Sequence, residues 1–273
     1  MIGTSIKPDL QSLSRPQEAL LERLKTCLNQ IEKPKLSPLI QVSVPVSPVD
    51  VFLWLVSRTE KQKMYWADRS GRVEVAGVGT ARETCSRQGS FHEMLQTLSE
   101  YQRLNVQAHC FVTLPFAPSP NEIWETFGAA RFAIPQIELF RKDDLFRITY
   151  SMYVPEWSSR EKLLQTAEKQ LQNGVAVKEL TPNAVLLKPF SVSHVPDKSK
   201  WTAAVHATLS AIAKGKLDKV VLARKTTCQF RIPPDPAALF YQFAYRSPRT
   251  FRFFFQYGTY AAFFGASPER LYK

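Results

Sequence analysis

Between Leu39 and about Tyr150 the chain is written in short apolar runs separated by turn residues, and this pattern restricts the fold more than any other feature. Ile40–Val46 (Ile-Gln-Val-Ser-Val-Pro-Val) alternates with the period of a half-buried strand. Lys63–Ala67 and Val73–Val78 are strand-like, and Asp68-Arg-Ser-Gly71 between them has hairpin-turn chemistry. His109–Leu114, Arg131–Leu139 and Leu145–Tyr153 read as further neighbouring strands, with Lys142-Asp-Asp144 making the last turn. Tight turns can join antiparallel neighbours, whereas parallel ones need a long crossover. The expected fold class is therefore α+β: a large, mostly antiparallel sheet with helices packed outside it.

Helical periodicity flanks this β-rich region. Leu20, Leu21, Leu24, Leu28 and Ile31 form one apolar face over residues 16–32, with Ser14 as an N-cap before Pro16. Val49–Ser57 and Phe91–Glu100 read as short helices. Trp157–Asn173 returns to helical spacing and stops at Gly174. Leu186–Phe190 reads as a short strand. A helix over Lys200–Lys214 follows, capped by Asp197 or Ser199, with Trp201, Val205, Leu209 and Ile212 as its stripe, His206 beside that stripe, and Gly215 as its end.

Bulk properties remove several function classes. Hydrophobic residues at 44% and charged residues at 22% are ordinary for a globular chain and argue against disorder. The richest apolar stretch, Phe251–Ala266, is interrupted by Arg252, Gln256 and Gly258, so no membrane span is expected. The first residues lack the basic-then-apolar order of a secretory signal, and a cytoplasmic protein is expected. The net charge of +12 raises a nucleic-acid partner as an alternative. Lys and Arg are dispersed among acids, however, and form no block of five or six, so none is expected. Cys27, Cys85, Cys110 and Cys228 make no CxxC and no zinc-like spacing with His92, His109, His194 or His206. They are expected to be free thiols, and no metal-ligating or cofactor-binding residue is assigned.

Two segments of the last third carry chemistry. Gly215-Lys-Leu-Asp-Lys219-Val-Val-Leu-Ala-Arg224 follows the predicted helix, and its Val-Val-Leu-Ala run is that of a strand buried on both faces. Lys219 stands at the start of that run, where a lysine ordinarily points to water. An aromatic strand over Phe251–Phe264 leads into Gly265-Ala-Ser-Pro-Glu269-Arg-Leu271, and Ser267-Pro268-Glu269 by itself is a good helix start. Taken together, in this order and fifty residues apart from Lys219 to Glu269, the segments GKLDKVVLAR and FFGASPERL resemble the chorismate-binding enzymes. That family includes isochorismate, salicylate, anthranilate and aminodeoxychorismate synthases. Weaker resemblance runs through FLWLVSRTEKQKMYWADRSGRVEVAGVG and WETFGAARFAIPQIEL, so it covers most of the chain from about residue 40.

The resemblance implies that Lys219 is the general base that activates a water and Glu269 the general acid that protonates the departing hydroxyl. The implied substrate is chorismate, whose position 4 hydroxyl is lost as water adds at position 2. Ammonia-using members carry glutamine where Lys219 stands, so the isochorismate and salicylate branch is implied, with isochorismate synthase foremost and salicylate synthase the alternative. Complete members are longer, and the resemblance places the Mg2+ ligands beyond Lys273. Residues 36–273 are accordingly expected to be an incomplete chorismate-binding domain, and 1–35 an N-terminal helical extension. The chain is expected to be a partial sequence, the alternative being an inactive fragment of the family. Oligomeric state is left open.

Overall fold

The computed structural model describes residues 15–30, 39–86, 96, 99, 109–114, 122–127, 130–154, 158–174, 188–259 and 261–270. They fall into two compact units, one of residues 1–182 with 236–273, the other of residues 183–235.

The larger unit is built on a seven-stranded antiparallel sheet. Its strands are β1 (Leu39–Pro45), β2 (Gln62–Ala67), β3 (Val73–Val78), β7 (Ile137–Lys142), β8 (Leu145–Tyr153), β11 (Phe251–Tyr257) and β12 (Ala262–Ser267). Their order in space is β1-β8-β7-β3-β2-β11-β12. A second sheet, β4-β6-β5, is formed by Arg82–Ser86, Ala130–Ile134 and Phe111–Thr113.

Helices cover one face of the large sheet. α1 (Pro16–Gln30) buries Leu20, Leu24 and Leu28, and α2 (Val51–Val56) buries Phe52, Trp54 and Leu55. α2 begins later than the expected start at Val49 because Asp50 caps it, accepting the Leu53 N–H at 2.7 Å. Leu163, Ala167 and Leu171 of α3 (Arg160–Gly174) and Phe240 of α5 (Pro236–Tyr245) complete this layer against Val42, Ile148, Tyr150, Leu139, Tyr65 and Phe254. Phe111 and Ala133 of the small sheet pack with Met64, Val75, Phe255 and Tyr257 on the opposite face. Strand alternation explains the division, since Phe254 and Phe255 must point to opposite sides.

Two expected strands are each divided. The run Arg131–Leu139 breaks at Pro135-Gln136, so β6 and β7 serve different sheets; Pro135 has no N–H to give to a ladder. The aromatic run 251–264 folds back at Gly258 (φ 89°), which makes β11 and β12 a hairpin. The predicted hairpin at 68–71 is as expected: Asp68 accepts N–H bonds from Arg72 and Val73 at 2.9 and 3.1 Å, and Gly71 takes φ 68°. The turn at 142–144 likewise places Asp143 in the left-handed region, at φ 54°. Of the helix expected over Phe91–Glu100 only residues 96 and 99 are described, both helical, and the Ser14 cap lies outside the described residues.

The smaller unit holds α4 (Lys198–Ala213) and a two-stranded ribbon of β9 (Ser191–Val195) and β10 (Lys225–Gln229). β9 follows the expected strand at Leu186–Phe190, of which residues 186 and 187 are outside the described set; Phe190 precedes the ribbon. Asp197 is the cap of α4, accepting the Lys200 N–H at 2.9 Å, and Gly215 (φ 66°) follows its end. The apolar stripe of α4 is present but is nowhere fully buried: the helix has no buried residue, and Leu209 is 58% exposed. A two-stranded ribbon presents too little apolar surface to bury a helix face.

No described helix is long and apolar enough to cross a membrane.

Candidate functional site

Lys219 belongs to the smaller unit. Residues 219–224 form no strand, contrary to the expectation of one buried on both faces, and Val221 is 79% exposed. A central strand needs a hydrogen-bonding neighbour on each side, and among the described residues nothing pairs with this run. The segment is nevertheless tethered at both ends. Upstream, the backbone turns at Gly215, where the Lys216 N–H reaches Ala211 O at 3.0 Å. Downstream, Lys225 pairs with Val195, and the Arg224 guanidinium lies 5.9 Å from the ring centroid of Trp201 in the first turn of α4. Lys219 itself is exposed.

Glu269 belongs to the larger unit, just past the end of β12. That strand pairs with β11 in the register Phe251↔Ser267, Phe253↔Gly265 and Phe255↔Phe263. The register accounts for the glycine of the Gly-Ala-Ser-Pro-Glu motif. A Cβ at Gly265 would stand 2.6 Å from Cζ of Phe253, so a side chain there collides with the ring that packs across the hairpin. Ser267 accepts the Glu269 backbone N–H at 3.2 Å, which fixes the chain direction as it leaves the sheet. The described residues 268–270 are not helical, so Ser-Pro-Glu acts as the end of a strand and not as the expected helix start. The Glu269 carboxylate is exposed.

Lys219 and Glu269 thus lie in different units, each at a motif whose local geometry is set by its own neighbours. Sequence reasoning missed those neighbours: Trp201 beneath Arg224, and Phe253 beneath Gly265. The signal for the second was available, because a glycine in a strand often marks close approach by another group.

Among the described residues, no three His, Cys, Asp or Glu side chains gather where they could hold one metal ion. All four cysteines are free thiols.

Comparison with known proteins identifies the family. Residues 22–273 match the family model described as chorismate binding enzyme. The chain is 25% identical over 276 residues to isochorismate synthase MenF of Escherichia coli (strain K12), an alignment covering 97% of this chain and 57% of that protein. A putative isochorismate synthase of Aeromonas hydrophila is 33% identical over 122 residues, which is 45% of this chain and 30% of that one. The solved structure of MenF, the menaquinone-specific isochorismate synthase from Escherichia coli, superposes with a TM-score of 0.69 at 25% identity. That superposition covers 93% of this chain and 56% of the other, so the chain spans little more than half the length of this relative. Matched over nearly its whole length, and folded on the same large antiparallel sheet, the chain belongs to the chorismate-binding enzyme family.

Proposed function

We propose that this chain is the Lys219- and Glu269-bearing part of an isochorismate synthase, an isomerase that converts chorismate to isochorismate. In this reading the free amine of Lys219 takes a proton from a water, whose oxygen bonds to ring position 2. The double bonds shift, and the position 4 hydroxyl departs as water with a proton from Glu269. One water is consumed and one released. Residues 36–273 act as an incomplete chorismate-binding domain, with residues 1–35 as a helical extension.

The observation that carries the reading is the match of residues 22–273, which include the ordered motifs GKLDKVVLAR and FFGASPERL, to the chorismate binding enzyme model, beside the similarity to the Escherichia coli isochorismate synthase. The lysine matters chemically: activating water calls for a base, whereas delivering ammonia does not. An amine base must lose its proton, and a carboxyl acid must keep one, near neutral pH, and removal from water favours both. Lys219 and Glu269 are both exposed among the described residues, so in this reading that cover comes from groups other than their described neighbours. The Mg2+ implied by the family would likewise be held by groups other than the described residues. The product would serve menaquinone or siderophore synthesis in the cytoplasm; four free cysteines suit that reducing compartment.

Product analysis with chorismate and magnesium tests the proposal. Isochorismate is expected, with Lys219→Ala and Glu269→Gln each lowering turnover by roughly 10²- to 10⁴-fold, the usual reach of acid–base catalysis. Salicylate with pyruvate as products would reassign the chain to the salicylate branch. No turnover by the intact chain would leave it an inactive form of the family.

A further inference from the structure

We propose that Arg69, Arg249, Arg252 and Arg270, gathered at one end of the large sheet, form an anion-receiving surface that draws a small dicarboxylate substrate to the end of β12, where Glu269 stands. The inference rests on the chorismate reading, and it concerns capture of the substrate, not the proton transfers.

The antiparallel order brings these residues together. β2 ends at Ala67, which pairs with Arg252, and β12 ends at Ser267, which pairs with Phe251. The turn after β2, the start of β11 and the end of β12 therefore share one end of the sheet. Side chains tie the three together. Arg69 Nε donates to the carbonyl of Arg249 at 3.4 Å. The Arg252 guanidinium reaches over Gly71, within 3.8 Å of where a Cβ would be. The Arg270 guanidinium lies 5.6 Å from the centroid of Phe251, whose ring in turn stacks on Trp66 at 6.0 Å.

Charge is distributed unevenly along this end. Toward β3 and β7 the arginines are matched, Arg72 to Asp143 at 2.5 Å and Arg141 to Glu74 at 2.8 Å. Toward β2, β11 and β12, none of the four arginines pairs with a carboxylate among the described residues. The nearby acids are engaged elsewhere: Asp68 is turned inward to its own hairpin, Glu74, opposite Ala67, is held by Tyr65 and Arg141, Asp50 caps α2, and Glu269 is the proposed acid. Arg249 also occupies the left-handed region at φ 59°, a conformation disfavoured for a long side chain, and Arg69 holds its carbonyl there.

Arg252 shares its sheet face with Phe254, and Arg270 sits over Phe251 on the other, so the charges wrap the end of the sheet. A steering field does not need one contact geometry, because unscreened charges act over roughly a Debye length, about 8–10 Å in ordinary buffer. A small dianion gains most from such a field, and the chain's net charge of +12 has the same sign.

Calorimetric titration of the intact chain with chorismate, at about 20 mM and about 200 mM salt, provides the test. The wild type is expected to bind more tightly at the lower salt. Arg249→Gln/Arg252→Gln together should weaken low-salt binding about tenfold and flatten the salt dependence, as expected for lost steering charge. Arg252→Lys, which keeps the charge, should retain the salt dependence. Glu269→Gln should bind at least as tightly as wild type while losing turnover. Equal affinity and salt slope in wild type and the double variant would overturn the proposal, as would no chorismate binding by wild type at low salt. Tighter capture of a short duplex DNA, lost in the same variant, would also overturn it, by assigning the surface to a polyanion. The catalytic reading fails separately, if Lys219→Ala and Glu269→Gln turn chorismate over normally.

Discussion

The Glu138 carboxylate, fully buried on β7, accepts the backbone N–H of His109 at 2.6 Å and faces its Nδ1 at 3.1 Å. His109 leads into β5, so this contact clips the small sheet onto the large one. The His109 ring also stacks on Phe140, at 5.0 Å, and the Arg147 guanidinium approaches Glu138 to 4.0 Å. Losing a hydrogen bond to a charged acceptor costs about 1.5–3 kcal/mol. Glu138→Ala should therefore lose at least that much in urea denaturation, and His109→Ala, which keeps the backbone N–H bond, should lose less.

Gly265 tests the local geometry of the Gly-Ala-Ser-Pro-Glu segment. Because its Cβ would meet the ring of Phe253 at 2.6 Å, Gly265→Ala should destabilise by about 1–3 kcal/mol, as overpacking does. Adding Phe253→Ala should recover part of the overpacking loss. Thermal unfolding of the single and double variants measures both effects.

Phe240 is the anchor of α5. Its ring lies 4.8 Å from Phe52, 5.4 Å from Phe254 and 5.7 Å from Phe264, in the buried layer beneath β11 and β12. Phe240→Ala should cost about 3–5 kcal/mol, and Phe240→Leu less, read as the shift of a denaturation midpoint.

Asp68 and Asp143 make stability sensitive to acid. Arg72 hydrogen-bonds to Asp143 and holds its carboxyl below the ordinary range. Partial burial pushes Asp68 up, but hydrogen bonds from the Ser70 side chain and from the Val73 and Arg72 backbones outweigh it and hold the group low. A carboxyl lowered in the folded state stabilises above its unfolded pKa, about 3.9, and that gain is lost as pH falls through the folded value. Stability should therefore drop as pH falls below about 4, and less steeply in Asp68→Asn/Asp143→Asn. Urea midpoints measured across that range provide the check.

The thiols should separate by reactivity. Burial pushes the Cys110 thiol up to about 12, whereas Cys85 and Cys228 are exposed. Since the thiolate is the reactive form, a thiol reagent near pH 8 should modify Cys85 and Cys228 in the folded chain and reach Cys110 only on unfolding. Mass spectrometry after timed labelling distinguishes them.

Much of the larger unit was legible from local chemistry. Asp68-Arg-Ser-Gly71 specified a hairpin because an aspartate can satisfy its own turn and a glycine can take positive φ, and both do so. The leucine spacing specified α1, and Asp197 was one of two candidate caps of α4. The break at Pro135 and the reversal at Gly258 were also written in the residues, but apolar content on both sides disguised them as single strands. The motifs around Lys219 and Glu269 were recognisable because their residue types and order are specific.

Tertiary structure decided what local pattern cannot express. Periodicity showed that α1 and α4 each have an apolar face; only packing determined that Leu24 is fully buried whereas Leu209 stays 58% exposed. Val-Val-Leu-Ala has the composition of a central strand, yet it becomes one only where another strand's backbone pairs with it. Pairing of β2 with β11, nearly two hundred residues apart, brought Arg252 to Gly71 and set the arginines beside the end of β12. Composition and periodicity act through neighbours in sequence. Burial, strand pairing and the local field act through neighbours in space, which only the folded chain supplies.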